Sequence, residues 1–208
     1  MVKKKSLEKK KVKKSTRKKE EDYYNKILKG FFILFGSIFL IILVYYGLSY
    51  SMSHFTEDGV PYKIVQEGEL IFYNTIIPVI FEGENEDYKF YLRNDPRNLG
   101  VEFEGDLRSR ENMVINSTGD FNCEGDGIIA VANLVNLYQI LGAKVIRDEE
   151  ATCDAEGRYV FIQISEGNET KILQSGPTCY NIEVNNCEIL EATERFMIET
   201  FISVNNFE

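Results

Sequence analysis

A single histidine, His54, is present in the 208-residue chain, and no two cysteines stand two to four residues apart. The first shortage leaves only one imidazole to act as base for a nucleophile. The second removes the ligand spacing of a structural zinc site. Beyond residue 30 no cluster of Lys or Arg is found, so that part has no electrostatic footprint for a phosphate backbone, and nucleic acid is excluded as its partner. The acidic loops EGENED and DEEATCDAEG lack the alternating ligands and closing Glu of an EF-hand. NCEGDG, Asn122 to Gly127, lacks the third glycine and the lysine of a phosphate loop, and its Glu124 and Asp126 would repel an anion. It reads as a tight turn into a helix. No repeat is present. The expectation is therefore no catalytic residues, no metal and no cofactor, and a chain that leans away from being an enzyme.

What is present is a division of charge. Residues 1–30 hold 13 basic and 4 acidic side chains, a net +9. The rest holds 11 basic and 29 acidic side chains, a net −18. Between the poles lies FFILFGSIFLIILVYYGLSY, residues 31–50, without one charged side chain. As a helix it would cover about 30 Å, the thickness of a bilayer's hydrocarbon. Tyr45, Tyr46 and Tyr50 stand at its far end, where amphipathic rings favour the interface. The reading is a transmembrane helix. The basic flank places the N-terminus in the cytoplasm and residues 51–208 outside, at the cell surface. The apolar run exceeds the core of a cleaved signal peptide, which favours an uncleaved anchor. The basic tail reads as disordered and is drawn to anionic lipid headgroups. KGFFILFG, Lys29 to Gly36, has the look of a prepilin processing site. The Glu usual five residues after such a cut is replaced by Phe35, and Gly59 and Pro61 stop the helix early, so a pilin-like subunit is a minor alternative.

The external part divides into a polar linker, 51–59, and a domain, 60–208. Residues 60–110 read as β-rich, with a hairpin of Val79–Phe81 and Tyr88–Leu92 about Gly-Glu-Asn-Glu. Residues 111–208 read as α/β. NMVINST and AKVIRD are strands on either side of GIIAVANLVNLYQILG, a helix apolar on most faces and hence largely buried, with Gly142 as its stop. YVFIQIS and TKILQS flank EGNE as a hairpin, and YNIEV is the last strand. The final helix is amphipathic, with Ile189, Ala192, Phe196, Met197 and Phe201 on one stripe and Asn185 with Glu188 as a capping box. The fold class is α/β or α+β: a mixed sheet in two or three layers with a buried helix and a C-terminal helix.

All four cysteines lie outside the membrane in this reading, which favours disulfides. Pairing Cys179 with Cys187 is hard, because an extended Tyr180–Val184 spans about 16 Å against the about 5.5–6 Å between the Cα atoms of a bridge. Two pairings remain: Cys123–Cys187 with Cys153–Cys179, or Cys123–Cys179 with Cys153–Cys187. The first is preferred. Cys123 and Cys187 each follow a strand and open a helix, positions that share one edge of a parallel sheet, while Cys153 and Cys179 each precede a strand. The rival reading is chemistry: a thiol at a helix N-terminus, Cys123 or Cys187, acidified into a nucleophile.

Two acceptor patterns for N-glycosylation occur, at Asn168 in a turn and at Asn116 at a strand end. RNDPRN, Arg93 to Asn98, reads as a turn held by an Asp side chain, or as an interaction loop that presents Arg93, Asp95 and Arg97. FYLRNDPRNL, Phe90 to Leu99, together with CYNIEVNNCEILEATERF, resembles a group of uncharacterised archaeal single-pass membrane proteins with a basic tail, one anchor helix and an external domain. The resemblance covers most of residues 60–203. It implies an envelope-facing domain and brings no activity with it. The order of elements is also similar to an α/β domain of archaeal surface-layer proteins.

The function expected is a membrane-anchored binding or envelope-structural module whose partners are membrane lipid and an unknown protein or envelope component. Its marks are oxidised cysteines and no polar cleft. A thiol-dependent envelope enzyme using Cys187 or Cys123 is the alternative.

Overall fold

The structure is a computed structural model that describes residues 2–81 and 84–205, with side chains from Tyr24 onward apart from residues 80, 81, 85 and 205. Two compact units follow one another, residues 1–52 and residues 53–208.

The first unit is one helix, α1 (Val2–Ser53). Between Tyr24 and Ser53 it is long and apolar enough to cross a membrane, and its large side chains from Phe31 to Tyr50 are exposed. Helical backbone also runs through the basic segment, where the charge run suggests disorder. Lys, Arg, Glu and Leu are good helix formers, and no Gly or Pro interrupts them before Gly30.

In the second unit the expected linker is absent. Strand β1 (His54–Glu57) starts at the residue after α1 and turns at Asp58-Gly59 into β2 (Val60–Glu67). Both turn residues have positive φ, 49° and 82°, as a two-residue hairpin of this twist requires, and Asp-Gly meets that demand. β3 (Leu70–Phe81) and β4 (Glu84–Leu92) complete an antiparallel sheet in sequence order. The hairpin expected at 79–92 is there with longer strands. Glu82 and Gly83, at its tip, lie outside the described residues.

The second sheet has six strands in the order β5-β9-β10-β8-β6-β7. They are β5 (Glu102–Glu104), β6 (Asn112–Ser117), β7 (Lys144–Ile146), β8 (Val160–Glu166), β9 (Lys171–Gly176) and β10 (Cys179–Val184). β7, β6, β8 and β10 run parallel, and β9 opposes β10. The sequence suggests that β8 and β9 pair across EGNE. Instead β10 lies between them. The tight connection is Gly176-Pro177-Thr178, where Gly-Pro marks the turn, and the β9–β10 hairpin formed there inserts β10 beside β8.

Helix α2 (Asp126–Ile140) and helix α3 (Ile189–Asn205) pack on each other between the two sheets. Phe196 of α3 meets Tyr180 of the six-stranded sheet at 5.2 Å between ring centroids, and Phe201 meets Phe90 of the four-stranded sheet at 5.6 Å. This position reverses the burial expected for the helices. α3 is buried on nearly every side, Leu190, Thr193, Glu194, Ile198 and Thr200 included, because a sheet covers each face. α2 lies at the margin and buries one stripe, Ala130, Leu134, Leu137 and Tyr138, leaving Ile128 70% exposed.

Candidate functional site

Both disulfides follow from the parallel sheet. β6 and β10 deliver Cys123 and Cys187 to the C-terminal edge, where they bond with Cα atoms 5.5 Å apart. Cys153 and Cys179 bond at the opposite edge, with Cα atoms 5.6 Å apart. This is the pairing preferred from strand order. The two sulfurs considered as nucleophiles are joined to each other, and none of the four cysteines is free. The loop that carries Cys153 covers a small second cluster on the outer face of this sheet, Val114, Phe161 and Cys179. The capping box does not form. Asn186 and Cys187 sit at φ 48° and 63°, the helix starts at Ile189, and the Glu188 carboxylate accepts from the Thr170 hydroxyl instead.

The loop Arg93–Asn98 links the sheets, and one buried carboxylate sets its shape. Glu194 of α3 is fully buried. Its Oε1 accepts from the Arg93 backbone N–H at 2.6 Å, and its Oε2 accepts from the Asn94 backbone N–H and from Asn94 Nδ2, each at 2.9 Å. Removal from water pushes the carboxyl up to about 7 although all three donors favour its charged form. Asp95 then accepts from the Arg97 backbone N–H at 3.1 Å and caps a 3-10 turn, Pro96–Asn98. The Arg97 guanidinium donates to both Asp95 oxygens, holds that carboxyl below the usual range and stacks 4.2 Å from the Phe55 ring centre. Arg93 reaches Asp126, in the first turn of α2, at 3.2 Å.

The turn held by an Asp side chain is present. Arg93, Asp95 and Arg97, the charges of the alternative interaction-loop reading, each also pair with a side chain within the chain. A polar cleft, not expected for a binding module, opens beside the loop. It measures about 350 Å³, and Asn94, Asn98, Leu99, Thr170, Glu188 and Glu191 are among its walls. Loop, β9 entry and the start of α3 form it together. Sequence reasoning missed Glu194 because it stands about 100 residues from its partners. The helix also carries Glu191, Arg195 and Glu199, so no local signal distinguishes Glu194 from its other charged residues.

Of the glycosylation acceptors, Asn168 is exposed, while Asn116 is half-buried in β6 and its amide donates to the Ala151 carbonyl at 3.2 Å. Among the described residues no three His, Cys, Asp or Glu side chains converge as metal ligands. No protein-family model, curated protein or solved structure matches the chain.

Proposed function

We propose that the chain is a single-pass membrane protein whose N-terminus is cytoplasmic and whose residues 53–208 form a binding module outside the membrane. The observation that carries this is the coupling of two disulfides to a unit that starts where an apolar, exposed helix ends. Disulfides persist in oxidising compartments, and the basic flank favours the cytoplasmic side for the N-terminus. The polar cleft is the recognition surface. Its walls carry the carboxylates of Glu188 and Glu191 beside Asp95, which Arg97 already pairs; the two remaining acids fit a cationic or hydrogen-bond-donating group on a protein or envelope partner.

Protease treatment of intact cells that carry the full chain, tagged at each end, tests the topology. The C-terminal tag is lost and the N-terminal tag is protected if the reading holds. The reverse pattern, or thiols that alkylate without reductant, overturns it. A photo-crosslinker at Asn98 should capture a defined partner that the same group at Gln163, on β8, does not.

A further inference from the structure

The outer face of the four-stranded sheet has a composition that the binding module does not use. Alternation along β2, β3 and β4 turns Tyr62, Ile77 and Phe90 into the core, so Val65, Phe72, Ile76 and Tyr91 stand on the opposite face. Phe72 and Tyr91 meet edge to face with ring centroids 6.2 Å apart. Leu70, Ile76 and Tyr91 are 49%, 42% and 45% exposed. Asn74, among them, is buried and donates its amide to the Phe90 carbonyl at 3.0 Å, so it does not break the apolar surface. Lys63 stands beside Asn74, and Lys89 beside Ile76. The acids on this face are Glu67, the last residue of β2, and Asp87, two residues along β4 from Lys89, so two acids balance the two lysines. The face is thus neutral, in a part of the chain that is strongly acidic.

Chain continuity identifies what covers it. β1 begins at the residue after α1 ends. From Tyr50, where the charge-free run stops, three more helical residues rise about 4.5 Å. The headgroup layer is about 5–7 Å deep on each side of the hydrocarbon. The sheet therefore starts within that layer, if α1 crosses the bilayer as proposed above. We propose that this face lies on the bilayer surface, with Phe72, Ile76 and Tyr91 in the interfacial zone and Lys63 and Lys89 against lipid phosphates. The inference rests on the anchor reading.

The chain has no tryptophan, so one introduced indole reports its own surroundings. The full chain is reconstituted in phosphatidylcholine–phosphatidylglycerol vesicles that contain lipids brominated either deep in the acyl chain or near its head. Three variants are read: Phe39→Trp in the apolar run, Tyr91→Trp on the face, and Gln163→Trp on the other sheet. The deep quencher should quench Phe39→Trp. The shallow quencher should remove about half or more of the Tyr91→Trp emission, as for an interfacial ring, and leave Gln163→Trp unchanged. Reversing charge with Lys63→Glu and Lys89→Glu should weaken the Tyr91→Trp quenching. If Phe39→Trp is quenched while Tyr91→Trp is as open to aqueous iodide as Gln163→Trp, the membrane-surface proposal alone is overturned. If Tyr91→Trp escapes lipid quenching yet is shielded from iodide, a second copy or another protein covers the face, which also overturns it. If Phe39→Trp is not quenched, the anchor reading fails and this inference falls with it.

Discussion

At the residue scale, Glu194 is the side chain with the largest consequences. Its three N–H donors, from Arg93 and Asn94, hold the start of the loop that links the two sheets. A carboxyl that protonates more readily in the folded than in the unfolded chain stabilises the fold fully below its unfolded value, near 4.5, and that contribution is lost as pH rises through about 7. The shift corresponds to about 3 kcal/mol. Denaturant unfolding of the full chain in detergent, with Glu194→Gln beside it, should show the wild type's advantage over the variant shrink by about 2.5 kcal/mol between pH 5 and pH 8. Parallel pH profiles would dismiss the buried-carboxyl account. Gly127 makes a different demand. A Cβ there would lie 1.7 Å from the Phe121 carbonyl oxygen, and backbone cannot step aside as a flexible side chain can. Gly127→Ala should cost about 2–3 kcal/mol or more by overpacking, read as a lowered unfolding midpoint. Little change would mean that the turn before α2 relaxes freely.

At the scale of elements, the two bridges pin different edges of one sheet. Cys123–Cys187 closes 64 residues and ties the entry of α2 to that of α3, while Cys153–Cys179 closes 26 and holds a surface loop. On chain entropy alone they differ little, about 4 against about 3.5 kcal/mol. Their surroundings differ more. Cys123, Glu124, Asn186 and Cys187 all have positive φ, a backbone held where side chains are disfavoured. Losing the longer bridge frees both helix entries, whereas losing the shorter one uncovers only the small outer cluster. Replacing Cys123 and Cys187 by Ser should lower stability by about 4 kcal/mol and accelerate amide exchange at the starts of both helices. Replacing Cys153 and Cys179 should accelerate exchange only in the 147–158 loop and the adjoining strands. Exchange that stays local in both cases would argue against a bracing role for the longer bridge.

At the scale of the whole molecule, α3 joins two sheets of different type, and Phe196 is its main aromatic contact with the six-stranded one. It is fully buried and its ring meets Tyr180, Phe103 and Tyr138. Phe196→Ala should cost about 3–5 kcal/mol, with signals from both sheets lost in one transition. Separate transitions would show that each sheet is stable without the shared helix. Local pattern determined much of this protein. Alternation marked the strands, the run without charge marked the apolar helix, and strand order led to the disulfide pairing, because each rests on neighbours in the chain and on the few angstroms a bridge can span. The helix periodicity was also legible, but burial was not: α2 looked the more apolar and is the more exposed. Periodicity reports which side chains share a face, and only packing decides how many faces are covered. Tertiary structure likewise placed β10 between β8 and β9, paired Arg93 with Asp126 and set Glu194 beneath that loop. Such contacts join residues many positions apart, and their partners are selected by which surfaces close together, not by the segment that carries them.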